Sequence, residues 1–368
     1  MTQTCYTMHM RQEIERVLEQ STRKLLATAS PPVRYWALTQ VQGRDPDDPS
    51  VKEALAKCAR FEPKRQLLSK LREDGTWPIP KGRKAAEDRG PGPPIGFTYR
   101  VILWNLYTLA EHVTSKAEGN VEHSIENILS WQVEDGHIPG PWQAGVPLPY
   151  FNGYALHDLL RFDMEKDERV QKLVRWLLST QRADGGWNIP YMMDVRFLPK
   201  YKGMRMKAFM ELVRSPTKPP FDPEEIEDLP SCTWSTFLVT WGLAESPQWA
   251  RSKQVKLGCE LYLDRFFKKN EQTSYYLNEA HWTKLRYPSR FGSGLAALDV
   301  LAKVGYAMDD PRMEKPLRWL LKARGVDGLW GQSTSRPHST QDEWISLIAL
   351  RTLSRVVDNR GWGLGAKD

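Results

Sequence analysis

The sequence repeats one short motif, an Asp-Gly step followed closely by Trp, in four places. An apolar helical run precedes each copy. The motif residues are Asp74 and Trp77, Asp135 and Trp142, Asp184 and Trp187, and Asp327 and Trp330. Two copies, which begin at Asp167 and Asp310, align without a gap at an offset of 143 residues. Such self-similarity is the signature of a repeat protein, in which stacked units bury the apolar faces that a single unit leaves open.

Each unit has the pattern of two helices. After the first helix and a turn, Asp310 is predicted to cap the second helix, with Pro311 at its first position. In the corresponding helix of another copy, Val174, Leu177 and Leu178 fall on one face. Glycine then stops the helix, and the Trp is predicted to fold back as an apolar plug. No alternating pattern competes, so the predicted fold class is all-α.

The chain holds about five and a half such hairpins between residues 33 and 357, which we predict to form a single repeat domain. Residues 1–32 are predicted to be an N-terminal helical extension and residues 358–368 a C-terminal tail. The loops between units are long and rich in Pro, Gly and charge, especially 78–94 and 189–230. Loops of this length are usually functional or disordered.

Composition fits a large helical core, since 40% of the residues are hydrophobic and 15 are Trp. The four cysteines show no paired spacing, so no disulfide framework is expected. The first ten residues lack the charged and apolar regions of a signal peptide. No window approaches the roughly 20 apolar residues that a membrane span needs. We therefore expect a cytoplasmic protein with reduced thiols.

The net charge is +7, and basic residues cluster in the loops, for example at 81–84 and 196–207. One interpretation is a solvated surface that balances 45 acidic residues. The other is a surface for an anionic partner, such as a diphosphate, an acidic membrane surface or nucleic acid. No helix-turn-helix, zinc-finger or aromatic RNA-binding signature favours nucleic acid.

The segment from Gln181 to Trp187 reads Gln-Arg-Ala-Asp-Gly-Gly-Trp, and Gln132 begins a partial copy. The chain thereby resembles the terpenoid-cyclase and protein-prenyltransferase superfamily, whose QW repeats have the form Gln…Asp-Gly-(Gly)-x-Trp. This resemblance covers roughly residues 33–357. It implies an α/α toroid of about five to six hairpins in two concentric rings, whose inner helices line a central cavity. It is specific for the fold and not for the reaction, because this fold hosts several activities.

The catalytic motifs of those families are incomplete here. Asp45-Pro46-Asp47-Asp48 has the letters of the cyclase motif Asp-x-Asp-Asp, but a proline-bounded charged turn predicts helix capping. Resemblance to the prenyltransferases implies zinc held by Asp-x-Cys and a His. Cys232 stands at the matching place, Pro230 replaces the Asp, and the next inner helix carries no His. We predict no cofactor and do not expect zinc, with Cys232 the lone metal candidate.

The starts of the inner helices are aromatic. The predicted cavity-lining residues are Tyr99, Tyr150, Tyr154, Trp234, Phe237, Trp241, Phe291 and Trp344. Rings in such an array enclose an isoprenoid tail or stabilise a cation, or they pack between helical layers. The catalytic candidates are Asp158, Asp299 and His157, because an unpaired carboxylate buried in a cavity marks a site. His157 and Asp158 are adjacent on one helix, so their side chains are predicted to diverge by about 100°.

The leading hypothesis is a toroid that binds a hydrophobic, isoprenoid-like small molecule and, if it is an enzyme, performs isoprenoid chemistry without the usual metal. One alternative is a non-catalytic scaffold whose basic loops bind a protein or another anionic partner. A second is a carbohydrate-active (α/α) barrel with two acids about 5–10 Å apart. A dry cavity favours the ligand-binding toroid, a filled centre favours the scaffold, and an open acidic cleft favours the carbohydrate-active barrel. The sequence leaves catalysis, substrate and oligomeric state open.

Overall fold

The computed structural model describes residues 3–82, 97–140, 147–188, 199–201, 203–205, 208, 229–270, 273, 275–333 and 342–358. Helices joined by turns account for these ranges, with no β-strand among them, so the all-α prediction is confirmed. Within the same ranges no helix has the length and apolarity that crossing a membrane requires.

Eight helices lie in the described part of the first half of the chain. They are α1 (Gln3–Thr28), α2 (Pro31–Trp36, continued as a π-helix over Ala37–Val41), α3 (Pro49–Ala59), α4 (Glu62–Ser69), α5 (Phe97–Glu111), α6 (Val121–Ser130), α7 (Pro149–Arg161) and α8 (Glu168–Ser179). The second half contains α9 (Thr233–Leu243), α10 (Pro247–Ala250), α11 (Lys253–Asp264), α12 (Glu279–Thr283), α13 (Gly294–Val304), α14 (Glu314–Lys322) and α15 (Asp342–Asp358). Short 3-10 helices lie at Pro199–Tyr201, Ser289–Phe291 and Pro311–Met313.

Alternate helices differ in how much of their surface is buried. Helices α7, α9 and α13 are buried along nearly their whole length. Helix α8 instead buries one stripe, which includes Val170, Leu173 and Leu177, and leaves its charged face exposed. A helix that is buried all round lies inside the fold, whereas one with a single apolar stripe covers it.

The buried helices contact one another in chain order. Helix α5 packs on α7, α7 on α9, α9 on α13, α13 on α15, and α15 on α2. Trp36 Nε1 of α2 then donates to the carbonyl oxygen of Glu111 at the end of α5, at 2.8 Å. This order of contacts returns to its starting helix, as a ring of inner helices requires. The two concentric rings of a toroid stay a prediction.

Helix α1, which falls in the predicted N-terminal extension, packs against the last repeat. It contacts α15 along its length. Ser21 Oγ donates to the carbonyl oxygen of Gly328 at 2.6 Å, and Lys24 Nζ donates to that of Asp327 at 2.6 Å. The beginning and the end of the described chain are therefore joined through the fourth Asp-Gly turn.

The repeated Trp residues make the same hydrogen bond in three copies. The indole Nε1 of Trp77, Trp187 and Trp330 donates to a carbonyl oxygen ten residues earlier, at 2.9, 2.8 and 2.8 Å. All three rings are buried. The predicted fold-back of these plugs is confirmed, while Trp142 lies outside the described residues.

The repeated Asp residues stabilise the Asp-Gly turns of the motif. In each turn a carboxylate oxygen accepts from the backbone N–H two residues on, a common turn-forming bond. The pairs are Asp74 with Thr76, Asp135 with His137, Asp184 with Gly186, and Asp327 with Leu329.

The glycine of each turn is required by its conformation and by its neighbour. Gly75 has φ +75°, and a Cβ placed there would lie 2.5 Å from the backbone of His123 in α6. Gly136 has φ +102°, and its Cβ would lie 2.7 Å from the carbonyl oxygen of Lys172 in α8. Glycine alone tolerates both constraints, and these two turns pack directly on the covering helix of the next repeat.

The Gln of the motif ties the same two elements together. Gln181 Nε2 donates at 2.7 Å to the carbonyl oxygens of Gly185 and Gln254, and the latter lies at the start of α11. Gln132 makes the same pair of bonds one repeat earlier. The motif residues thus build the contact between repeats, which explains why they predict a fold and not a reaction.

The predicted helix caps are also confirmed. Asp310 accepts from the backbone N–H of Arg312. Asp48, the last letter of the cyclase-like string, accepts from the N–H of Ser50 and begins α3. That string is therefore a capping turn.

Candidate functional site

His157 and Asp158 lie on α7 in the interior of the helix ring. Asp158 is fully buried, and its Oδ1 lies 3.0 Å from His157 Nδ1. The predicted divergence of the two side chains is wrong here, because rotation about the side-chain bonds brings their tips together. The other carboxyl oxygen, Oδ2, has no hydrogen-bond partner among the described residues.

Burial decides the charge of both groups. It raises the pKa of Asp158 well above its usual range, and the opposing effects of Arg290 and Arg161 are smaller. Burial also lowers the pKa of His157 to about 3, against the opposing effect of Glu245. Burial thus favours the carboxylic acid form of Asp158 and the neutral imidazole form of His157.

Asp299, the other predicted carboxylate, accepts hydrogen bonds at both carboxylate oxygens. Arg351 donates to it through Nε at 2.9 Å and Nη2 at 2.6 Å, and Arg355 Nη1 donates at 2.9 Å. Burial opposes ionisation, but the two guanidinium groups outweigh it and hold the pKa of Asp299 below its usual range. Asp299 is a buried counter-ion, and this arrangement does not suit a proton donor.

A second ion pair lies beside His157. Lys303 Nζ is 2.7 Å from Glu245 Oε1, and His157 Nε2 is 3.5 Å from the same oxygen. Burial is outweighed by Lys303 and His157, so the pKa of Glu245 is lowered. Burial lowers the pKa of Lys303 to about 8 despite its carboxylate partner.

These charged groups surround a cavity of about 20 Å³, which is room for about one water molecule. Its charged or ionisable lining residues are Glu111, His157, Arg161, Glu245, Asp299, Lys303, Arg351 and Arg355. We call this set the charged cluster; it lies toward the C-terminal ends of the inner helices. Most of it was missed from sequence, although Arg351 and Arg355, four residues apart in an otherwise apolar helix, were a usable signal.

Aromatic side chains are concentrated on α5, α7, α9 and α15, together with Tyr287. We call the following set the aromatic belt: Trp104, Tyr107, Tyr150, Tyr154, Trp234, Trp241, Tyr287 and Trp344. Neighbouring rings are close, with centroid distances of 4.8 Å for Tyr150 and Trp234 and 5.3 Å for Tyr287 and Trp344. Trp104, in the middle of α5, and Trp234, at the start of α9, are only partly buried, so the belt reaches the surface at these two rings.

Five of the eight predicted lining residues belong to this belt. Trp241 stacks on His157 at 3.6 Å and also borders the small central cavity. Tyr99 packs instead against Trp131, and Phe237 against Tyr276, so both lie between helical layers. Phe291 is 37% exposed.

Arg290 places a cation inside the aromatic belt. Its guanidinium carbon lies 5.4, 5.7 and 5.8 Å from the ring centroids of Trp104, Tyr107 and Tyr154. It also lies 4.9 Å from the ring of Phe291. Arg290 Nε is buried without a hydrogen-bond partner among the described residues. The sequence gives no periodic signal for this residue, because it is a lone Arg in the three-residue 3-10 helix Ser289–Phe291.

Cys232 caps α9, where its Sγ accepts from the backbone N–H of Ser235 at 3.4 Å. In the part of the chain that the structure describes, no group of three or more His, Cys, Asp or Glu side chains is placed to hold a metal ion. The absence of a cofactor stays a prediction, and half of the basic segment 196–207 lies outside the described residues.

No protein-family model matches the chain. Among solved structures, one described as a crystal structure of a protein from Actinoplanes is similar at 14% sequence identity. The similarity covers 94% of this chain and 99% of that chain, with a TM-score of 0.42. At this TM-score it supports no conclusion about fold or function.

Proposed function

We propose that the protein binds a hydrophobic, isoprenoid-like molecule against the aromatic belt, and that Asp158 acts on it as a general acid. The observation that carries this proposal is the state of Asp158, whose buried Oδ2 lacks a partner within the described chain. An unsatisfied buried polar group costs about 1–3 kcal/mol. An unpaired polar group that is buried next to residues with shifted pKa values is a candidate for a functional site.

The chemistry follows from the protonation state. A carboxyl group that stays protonated at neutral pH can deliver a proton, and positioned acids of this kind contribute typically about 10²- to 10⁴-fold to a rate. His157 fixes Oδ1 and leaves Oδ2 as the oxygen from which the proton is delivered. Because His157 is stacked on Trp241, the acid is held at the edge of the belt.

A ligand can reach the aromatic belt where its rings are incompletely buried. Trp104 and Trp234 are partly buried, and Phe291 is exposed. The charged cluster has a cavity of about 20 Å³, which is too small for an organic ligand. An apolar molecule would therefore approach from the aromatic side.

The test compares Asp158→Asn with Asp163→Asn, which makes the same change at an exposed position five residues away. Wild type and both variants are incubated with farnesol, geranylgeraniol and squalene, and products are identified by mass spectrometry. We expect isomerised, cyclised or hydrated product from the wild type and from Asp163→Asn only. Equal turnover by Asp158→Asn, or no binding of any isoprenoid, would contradict the proposal.

One observation favours a non-catalytic scaffold as the second candidate. Ion pairs fill the charged cluster, which is the arrangement expected of a protein that has no ligand site there. Under this candidate the purified protein retains no small molecule, and charge reversal in the basic loops abolishes binding to its partner. The carbohydrate-active alternative has less support, since the cavity beside Glu245 and His157 has no room for a sugar ring.

A further inference from the structure

Arg290 differs from Arg161, Arg351 and Arg355 in having no acidic partner among the described residues. Arg351 Nη2 lies 2.6 Å from Asp299, and Arg355 Nη1 lies 2.9 Å from the same carboxylate. Arg161 Nη2 lies 4.0 Å from Glu111. No carboxylate of the described residues forms an ion pair with Arg290.

The hydrogen bonding of Arg290 is also incomplete. A guanidinium group carries five N–H donors, and here the Tyr154 hydroxyl is the hydrogen-bonding neighbour. Arg290 Nε is buried and unsatisfied in the described structure. The surrounding ring faces attract the positive charge, but they accept no conventional hydrogen bond. A negatively charged hydrogen-bond acceptor would complement this guanidinium group.

Asp158 does not supply that charge. It interacts electrostatically with Arg290, yet burial favours the neutral form of its carboxyl group. A neutral carboxyl group does not repel an anion and can donate a hydrogen bond to it through the unpartnered Oδ2. Arg290 and Asp158 together form one cationic and one neutral donor beside an apolar wall.

We propose that the ligand is an amphipathic anion whose carboxylate or phosphate head group binds Arg290 and Asp158. This inference rests on the proposed binding of a hydrophobic molecule in the belt. A guanidinium fork matches two oxygens of either head group. The apolar tail lies along the partly buried rings of Trp104 and Trp234.

The experiment measures affinity for four molecules with the same twelve-carbon tail, by tryptophan fluorescence and calorimetry below their micellar concentrations. They are dodecanoate, dodecyl phosphate, dodecanol and dodecyltrimethylammonium. We expect both anions to bind about 10- to 100-fold more tightly than dodecanol, as a charge-assisted hydrogen bond allows, and the cation to bind most weakly. The carboxylate and phosphate arms show which head group fits better.

Variants locate the anion on the chain. Arg290→Gln should remove the preference for an anion while dodecanol still binds, and Arg290→Lys should retain part of it, since lysine keeps the charge but not the fork. Arg23→Gln, an exposed change on α1, is the matched control and should behave as wild type. Inorganic phosphate should displace dodecyl phosphate only at about 100-fold or greater excess, because it has no tail.

The outcomes separate this inference from the proposed function. Equal binding of dodecanol and dodecanoate to the wild type would overturn the head-group assignment and leave the hydrophobic site standing. An unchanged anion preference in Arg290→Gln would also overturn it. Binding of none of the four molecules would overturn both.

Discussion

Two glycines with nearly the same backbone conformation allow the contact between repeats to be measured. Gly75 has φ +75° and Gly82 has φ +78°. A Cβ at Gly75 would lie 2.5 Å from a backbone atom of His123, whereas a Cβ at Gly82 would meet nothing within 4 Å. Changing each glycine to alanine therefore imposes the same conformational strain but only one steric conflict.

The magnitudes follow from that difference. Alanine in the left-handed region costs roughly 1–2 kcal/mol at either position. The conflict at Gly75 involves backbone of α6, which cannot rotate away, and overpacking of this kind adds typically about 1–3 kcal/mol. We expect Gly75→Ala to lower the free energy of unfolding by about 2–5 kcal/mol and Gly82→Ala by about 1–2 kcal/mol.

Equilibrium urea unfolding followed by circular dichroism gives both values, and thermal unfolding checks their order. Retention of the unfolding slope shows that the change lies in stability and not in the unfolded state. Equal losses in the two variants would refute the reasoning, because the turn would then not pack on the next helix. A smaller loss for Gly75→Ala would refute it more strongly.

Further predictions concern single side chains. Trp187→Phe and Trp330→Phe should each cost about 1–3 kcal/mol in urea unfolding, because each leaves a carbonyl oxygen without its indole donor; values near zero would show that the bond is incidental. Asp158 has a raised pKa in the folded state, so it costs stability as pH rises above about 4, where the unfolded carboxyl ionises. Asp158→Asn should therefore gain stability relative to wild type between pH 4 and pH 8, and a constant difference would contradict the buried acid. Asp299 has a lowered pKa, so its contribution is present above about pH 4 and is lost as pH falls through the folded value. Asp299→Asn should cost about 3–5 kcal/mol at pH 7 by leaving Arg351 without its partner, and should lose less stability than wild type on acidification.

The features that sequence predicted are those encoded within one repeat. The Trp fold-back, the Asp310 cap and the capping role of Asp48 involve residues close in the chain. Such local bonds leave a pattern of residue types at fixed spacing, so they are readable without a structure.

The features that sequence missed depend on packing between distant residues or on side-chain rotation. Asp299 and Arg351 are 52 residues apart, and their pairing exists only because α13 packs on α15. The contact between His157 and Asp158 depends on side-chain rotation, which helix periodicity does not specify. Arg290 lies in the short 3-10 helix Ser289–Phe291, so no α-helical pattern predicted its position beside Trp104.

Native mass spectrometry of the purified protein, compared with its denatured mass, tests the central claim most directly. We predict a mass excess under native conditions that disappears on denaturation. The organic extract should then contain an amphipathic anion with an apolar tail. Trp234→Ala, which removes a partly buried ring of the belt, should retain less of it. A native mass equal to the mass of the polypeptide, with no extractable small molecule, would contradict a ligand-binding belt and favour the scaffold.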